Sequence, residues 1–170
     1  MIAEVSSNDV FPMANISSPQ PYPESAMAST RDTLLATASN YISNFDFDED
    51  SFRAIRSPTC ITHCITPSYR SSQTNEEILK LYPSLRTVFK ATEVTVIDER
   101  HTIVEEATRK VVLNLRQTSE TTVGPFENES LTILVMNEAG TLIDEVFIFL
   151  DSHRYTEFVG RLGTALEPSA

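Results

Sequence analysis

The run Arg56-Ser-Pro-Thr-Cys-Ile-Thr-His-Cys-Ile-Thr-Pro-Ser-Tyr69 holds one histidine, His63, among β-branched and sulfur side chains. Imidazole titrates near neutrality, so a histidine set among apolar groups is a common way to install a proton donor or acceptor. The middle of the run is short and β-branched and reads as an extended strand. On a strand, Ile61, His63 and Ile65 share one face, and Cys60, Thr62 and Cys64 share the other. The competing reading is a core histidine hydrogen-bonded to backbone. A second titratable group lies in the strand expected over 141–150, where Glu145, Phe147, Phe149 and Asp151 share a face. A carboxylate enclosed by aromatic rings has its pKa raised by desolvation and can serve as acid or base. Glu145 could instead pair with Arg56 or Arg116, and Asp151 reads first as a helix N-cap. The chemistry these types imply is proton transfer by His63 and Glu145, pointing into one closed pocket beside Phe147 and Phe149.

The elements that must position them follow from periodicity. Residues 1–27 are rich in Ser, Pro and Asn and show no apolar period, which predicts a disordered tail ahead of a single domain over 28–165. A helix starts near Thr30, with Leu34, Leu35, Ala38, Tyr41, Ile42 and Phe45 at helical spacing. The acidic stretch from Asp46 to Asp50 lacks the glycine and terminal glutamate of a calcium loop and reads as a solvated, helix-starting turn. A polar loop over Arg70–Thr74 precedes a helix with a capping box at Thr74 and Glu77 and a break or kink at Pro83. From Ala91 the period is two, giving four strands over 93–98, 109–117, 129–137 and 141–150; between the first two, 101–106 is apolar only at Ile103-Val104 and leads into a turn near Ala107, and Glu138-Ala-Gly140 is a hairpin turn. A last helix carries Tyr155, Phe158, Val159 and Leu162 and ends at Gly163. Helices segregated from an antiparallel sheet predict an α+β fold. Two strands are apolar on both faces, which a half-solvated sheet is not, so one face covers helices and a cavity and the other meets a second subunit.

In this order the motifs resemble a known family. Arg56-Ser-Pro-Thr-Cys-Ile-Thr-His63, Pro67-Ser68, Asn75-Glu-Glu77, Gly124-Pro-Phe-Glu-Asn-Glu129 and Gly140-Thr-Leu-Ile-Asp-Glu145-Val ending in Asp151-Ser152 are similar to the pattern of SnoaL-like proteins of fungal secondary metabolism. These belong to the nuclear transport factor 2-like superfamily. The resemblance covers roughly residues 28–163. It implies a cone-shaped α+β barrel, a curved antiparallel sheet closed by three or four helices around a deep pocket. It further implies a cyclase, isomerase or dehydratase that works by acid–base catalysis without a cofactor on a polyketide or terpenoid intermediate. The alternative on the same fold is a non-catalytic dimeric module that binds a ligand or a protein. Tyr41, Phe45, Tyr69, Tyr82, Asn128, Phe147 and Phe149 are the expected substrate contacts, and His63 and Glu145 the expected catalytic pair.

Charge and composition narrow the partners. The formal net charge of −11, with no Lys/Arg cluster, disfavours nucleic acid and anionic membranes. No apolar stretch approaches the roughly 20 residues of a membrane span, and the N-terminus has no signal-peptide pattern. Cys60 and Cys64 would lie about 13 Å apart on a strand, too far for a disulfide, and a lone pair is a weak zinc motif. A cytoplasmic homodimer that takes a small hydrophobic substrate, with no metal and no cofactor, is the expectation.

Overall fold

In the computed structural model residues 24–166 are described, and the side chains of residues 30–163. The tail expected over 1–27 lies outside the described residues as far as residue 23. Helix α1 spans Glu24–Ile42, six residues earlier than the expected start at Thr30. Leu34, Ala38 and Tyr41, spaced to share one helical face, are all buried. Helix α2 (Glu49–Ala54) begins where the acidic run ends. The Asp48 carboxylate accepts from Ser51 N–H at 2.8 Å, so the run is a helix start, and Phe52 anchors the helix in the core.

Strand β1 spans Arg56–Cys64. Ser71–Thr74, expected as a polar loop, forms strand β2, antiparallel to β1 with Ser72 opposite His63. The ladder satisfies backbone groups that a loop would leave to water, while the polar side chains stay exposed. The capping box is formed: Thr74 accepts from Glu77 N–H and Glu77 Oε2 accepts from Thr74 N–H. Proline then divides the expected helix into α3 (Asn75–Leu79) and α4 (Tyr82–Val88), with Pro83 in the first turn of α4, where its missing N–H is harmless. Phe89 opens β3 (Phe89–Val96). Strands β4 (Ile103–Glu105), β5 (Lys110–Thr121), β6 (Phe126–Met136) and β7 (Ile143–Leu150) follow, then helix α5 (Ser152–Leu166). Gly163 does not end α5, which runs three residues further.

The fold is a cone-shaped α+β architecture. One seven-stranded sheet has the order β2-β1-β7-β6-β5-β3, with β4 on the far end of β5. The neighbours β5, β6 and β7 form an antiparallel meander. The sheet is mixed rather than purely antiparallel, because β1 runs parallel to β7. These two strands are distant in sequence, so no hairpin dictates their direction. The core fills the concave side: Leu34, Ala38 and Tyr41 of α1 meet Cys60, Val111, Leu113, Leu115, Leu134, Met136, Ile143 and Val146. At the β6–β7 turn, Gly140 has φ +74° and its missing Cβ would lie 3.2 Å from Leu34 Cδ2, while its carbonyl accepts from Thr37 Oγ1 at 2.7 Å. That turn fastens α1 to the sheet, and only glycine fits both the conformation and the approach.

Candidate functional site

Period-two alternation sends the side chains of each strand to opposite faces, and the register fixes which groups meet. On the convex face His63 lies opposite Phe147, and Ile61 opposite Glu145, across β1 and β7. The face continues onto β6 through Leu131 opposite Phe149 and Ile133 opposite Phe147. His63 and Glu145 therefore do come together: Nε2 and Oε1 are 3.7 Å apart. The imidazole stacks on Phe147 with centroids 4.7 Å apart, and its Nδ1 lies 2.8 Å from Ser72 Oγ. The pair does not point into a closed pocket. The Glu145 side chain is 46% exposed, Phe149 is 48% exposed and Leu131 45%. The expected placement is corrected on this point. The faces are exchanged: Val146, Ile148 and Leu150, on the other face of β7, look into the cone. Arg116, considered as a partner for Glu145, instead pairs with Glu127 and Glu129.

The concave face encloses a cavity of about 310 Å³. Its walls are aromatic and aliphatic: Phe45 beside Tyr41 from α1, Phe47, Leu85, Phe89, Phe126, Ile148 and Leu150, and Tyr155, Phe158, Val159 and Leu162 from α5. Gln117, Asn128, Ser130 and Thr132 supply amides and hydroxyls from β5 and β6. The lining holds no Asp, Glu, His, Lys or Arg. Its titratable groups are the phenols of Tyr41 and Tyr155, and burial raises both above the usual tyrosine value. Near neutral pH both are protonated, and each can donate a hydrogen bond.

Arg56 stands behind Tyr41. It is only 8% exposed, its guanidinium carbon sits 4.3 Å over the Phe52 ring and 6.0 Å from the Tyr41 ring centre. Nη1 donates to Thr62 Oγ1 at 2.8 Å, and Nε is buried without a hydrogen-bond partner. No carboxylate among the described residues forms an ion pair with it. Its positive charge opposes the effect of burial on Tyr41 and would stabilise a phenolate there.

Of the other expected contacts, Tyr41, Phe45 and Asn128 line the cavity. Asn128 is committed to the fold, donating to the Asp151 carbonyl at 3.3 Å and accepting from Asp151 N–H at 3.2 Å. Tyr69 lies outside the lining, its hydroxyl 2.7 Å from Thr156 Oγ1 and its ring edge-on to Tyr155. Tyr82 is packed between Phe47 and Phe52 rather than in the cavity, and burial pushes its phenol up to about 12. Asp151 caps α5, its Oδ1 accepting from His153 N–H at 2.9 Å. Gln117, Ser130, Thr132 and Tyr155 were not among the expected site residues. The parity of Asn128 would have found Ser130 and Thr132, two and four positions on. Both cysteines are free thiols, and no group of three or more His, Cys, Asp or Glu among the described residues could hold a metal ion. Among the described residues no helix is long and apolar enough to cross a membrane.

No family model matches the chain. Austinoid biosynthesis clusters protein S of Emericella nidulans is 42% identical over 138 residues, which are 81% of this chain and 99% of that protein. Austinoid biosynthesis cluster protein F of Aspergillus calidoustus is 39% identical over 139 residues, 81% of this chain and 79% of that protein. This chain belongs to their family. It is a family of fungal biosynthesis-cluster proteins, and its fold is SnoaL-like. The solved structures agree. PrhC from Penicillium brasilianum matches with a TM-score of 0.76 at 28% identity, over 80% of this chain and 91% of that one. BvnE pinacolase from Penicillium brevicompactum matches with a TM-score of 0.73 at 28% identity, over 79% and 94%. A SnoaL-like polyketide cyclase from Shewanella denitrificans, at 10% identity and a TM-score of 0.62 over 76% of this chain and 98% of that one, shares the fold.

Proposed function

We propose that the protein is a cyclase- or isomerase-type enzyme of secondary-metabolite biosynthesis, acting on a polyketide or terpenoid intermediate held in the cone. The carrying observation is the cavity: about 310 Å³ of aromatic and aliphatic wall with two protonated phenols and no ionised group in its lining. Such walls fold a greasy intermediate and exclude water. Tyr41 donates a proton to a substrate carbonyl or departing hydroxyl, and the Arg56 charge behind it steadies the phenolate that forms. The phenolate then recovers a proton from the substrate, so no cofactor is needed. This moves the acid–base work from His63 and Glu145 to the tyrosines. The test is complementation of a deletion strain of the producing fungus, read by mass spectrometry of extracts. Tyr41→Phe should lower product formation by about 10²–10⁴-fold while leaving the protein folded. Full activity of that variant would rule out the assignment.

A second reading has its own support. Without a charged residue, the same lining suits a non-catalytic binding module. A deletion strain with an unchanged metabolite profile would favour it.

We further propose a homodimer through the convex face, where Leu131, Phe147, Phe149 and Ile133 make an apolar strip on β6 and β7. Exposed apolar strips of this kind mark association sites. Phe149→Asp should give a monomer in sedimentation at tens of micromolar. A wild-type monomer under the same conditions would dismiss the dimer.

A further inference from the structure

A second cavity, of about 420 Å³, opens beside the first. The two share four wall residues: Phe45, Phe47, Phe89 and Val94. Beyond that shared wall the character changes. The outer space is lined by Ser43, Asp46, Lys90, Thr92 and Glu93. Each cavity alone lies towards the lower end of the roughly 300–1,000 Å³ of small-molecule sites, and joined they fall in the middle of that range.

The boundary residue is unusual. Phe47 has φ +58°, a left-handed conformation that a bulky side chain rarely adopts. It is held there from several sides. Arg86 donates to the Phe47 carbonyl from Nε at 3.0 Å and from Nη2 at 2.6 Å. The ring lies against Phe89 and Tyr82, with centroids 5.3 and 5.5 Å away. Strained residues that the surroundings over-determine cluster at ligand clamps.

We infer that the two cavities are one two-chamber site for an elongated, neutral molecule with an apolar body and an oxygenated end, and that Phe47 sets the boundary between the chambers. The inference rests on reading the inner cavity as the binding site. The apolar body lies against Phe126, Ile148 and Phe158. The oxygenated end reaches Lys90, which donates, and Asp46 and Glu93, which accept. Two carboxylates against one ammonium make the outer chamber unfavourable for an anionic end and suitable for a hydroxyl or carbonyl.

The experiment uses the full chain and displacement of the fluorescent apolar probe N-phenylnaphthylamine by three compounds of one skeleton: farnesene, farnesol and farnesoate. Farnesol should compete about threefold more strongly than farnesene, the net worth of one hydrogen bond to a group that solvent also reaches, and farnesoate less strongly than farnesol. Thr92→Trp, which fills the outer chamber, should erase the preference for farnesol while the probe still binds. Methyl chemical shifts of Ala91 and Thr92 in the wild-type protein should move with farnesol and not with farnesene, which decides the matter should the variant fail to fold. Equal competition by farnesol and farnesene, with the probe bound and no methyl shift, overturns the two-chamber site and leaves the inner cavity standing. Failure of the probe itself to bind overturns the inner cavity as a binding site, and the two-chamber site with it.

Discussion

Filling the cavity should stabilise the protein and disable it, and Ser130→Leu is the substitution that shows this most directly. Ser130 points inward from β6 onto the cavity wall, and its hydroxyl makes only a 3.5 Å contact with Thr132 Oγ1. That contact is at the outer limit of a hydrogen bond, so little is lost with it. Leucine adds three carbons inside an apolar space of about 310 Å³. At about 0.8 kcal/mol per buried carbon, the upper bound is about 2 kcal/mol of stabilisation. Ordering the leucine side chain takes back about 0.5–1 kcal/mol. The net gain is about 1 kcal/mol, or a rise in Tm of about 2–4 °C, read by calorimetry. In a close-packed core the same insertion would cost about 1–3 kcal/mol, so the sign alone separates a cavity from a core. Binding of N-phenylnaphthylamine, followed by fluorescence, should weaken at least about tenfold, because the new side chain occupies its space. A Tm lower by several degrees with probe binding intact would refute both the cavity and its role.

Two further outcomes concern the frame around that cavity. Gly140→Ala should lower the unfolding free energy by about 1–2 kcal/mol, because a Cβ at φ +74° is strained and meets Leu34 at 3.2 Å; an unchanged urea midpoint would show that the turn yields freely. Arg56→Met should leave stability within about 1 kcal/mol of the wild type, since the lost stacking and hydrogen bond are offset by removing a buried, carboxylate-free charge and an unpartnered Nε. Product formation should fall with that substitution, and a stability loss above about 3 kcal/mol would mean that the guanidinium holds the core together instead.

Much of the fold is legible in the residues because local signals agree with the final packing. The capping box at Thr74 and Glu77, the break at Pro83, the turn at Gly140 and the N-cap at Asp151 each act within a few residues. The alternation of β6 and β7 shows their two-sided apolar character for the same reason. The signals that mislead are those that depend on distant partners. Ser71–Thr74 has no apolar period and becomes a strand only because β1 presents an open edge. The parallel pairing of β1 with β7 joins residues more than eighty positions apart in the chain, and no turn chemistry announces it.

The site shows the same division more sharply. Period-two parity does place His63 with Ile61 and Ile65, and Glu145 with Phe147 and Phe149, and the register brings the histidine and the glutamate together. Parity cannot say which face turns inward. That choice belongs to α1 and α5, which dock on the side of Val146, Ile148 and Leu150. Aromatic content is a poor guide here, since β7 carries its phenylalanines outward and leaves aliphatic groups inside. The cavity takes its rings from elsewhere, with Tyr41 from α1, Phe45 from the segment that follows it, Phe89 and Phe126 from the sheet, and Tyr155 and Phe158 from α5. A strand with two apolar faces therefore signals two buried surfaces. The polar residues interrupting one of them on β6 identify which surface is a binding wall. Asn128 is spent on the Asp151 backbone, but the hydroxyls of Ser130 and Thr132 have only their 3.5 Å contact with each other. A wall that only packed against helices would have no use for two such hydroxyls, each of which costs free energy to bury unless something meets it.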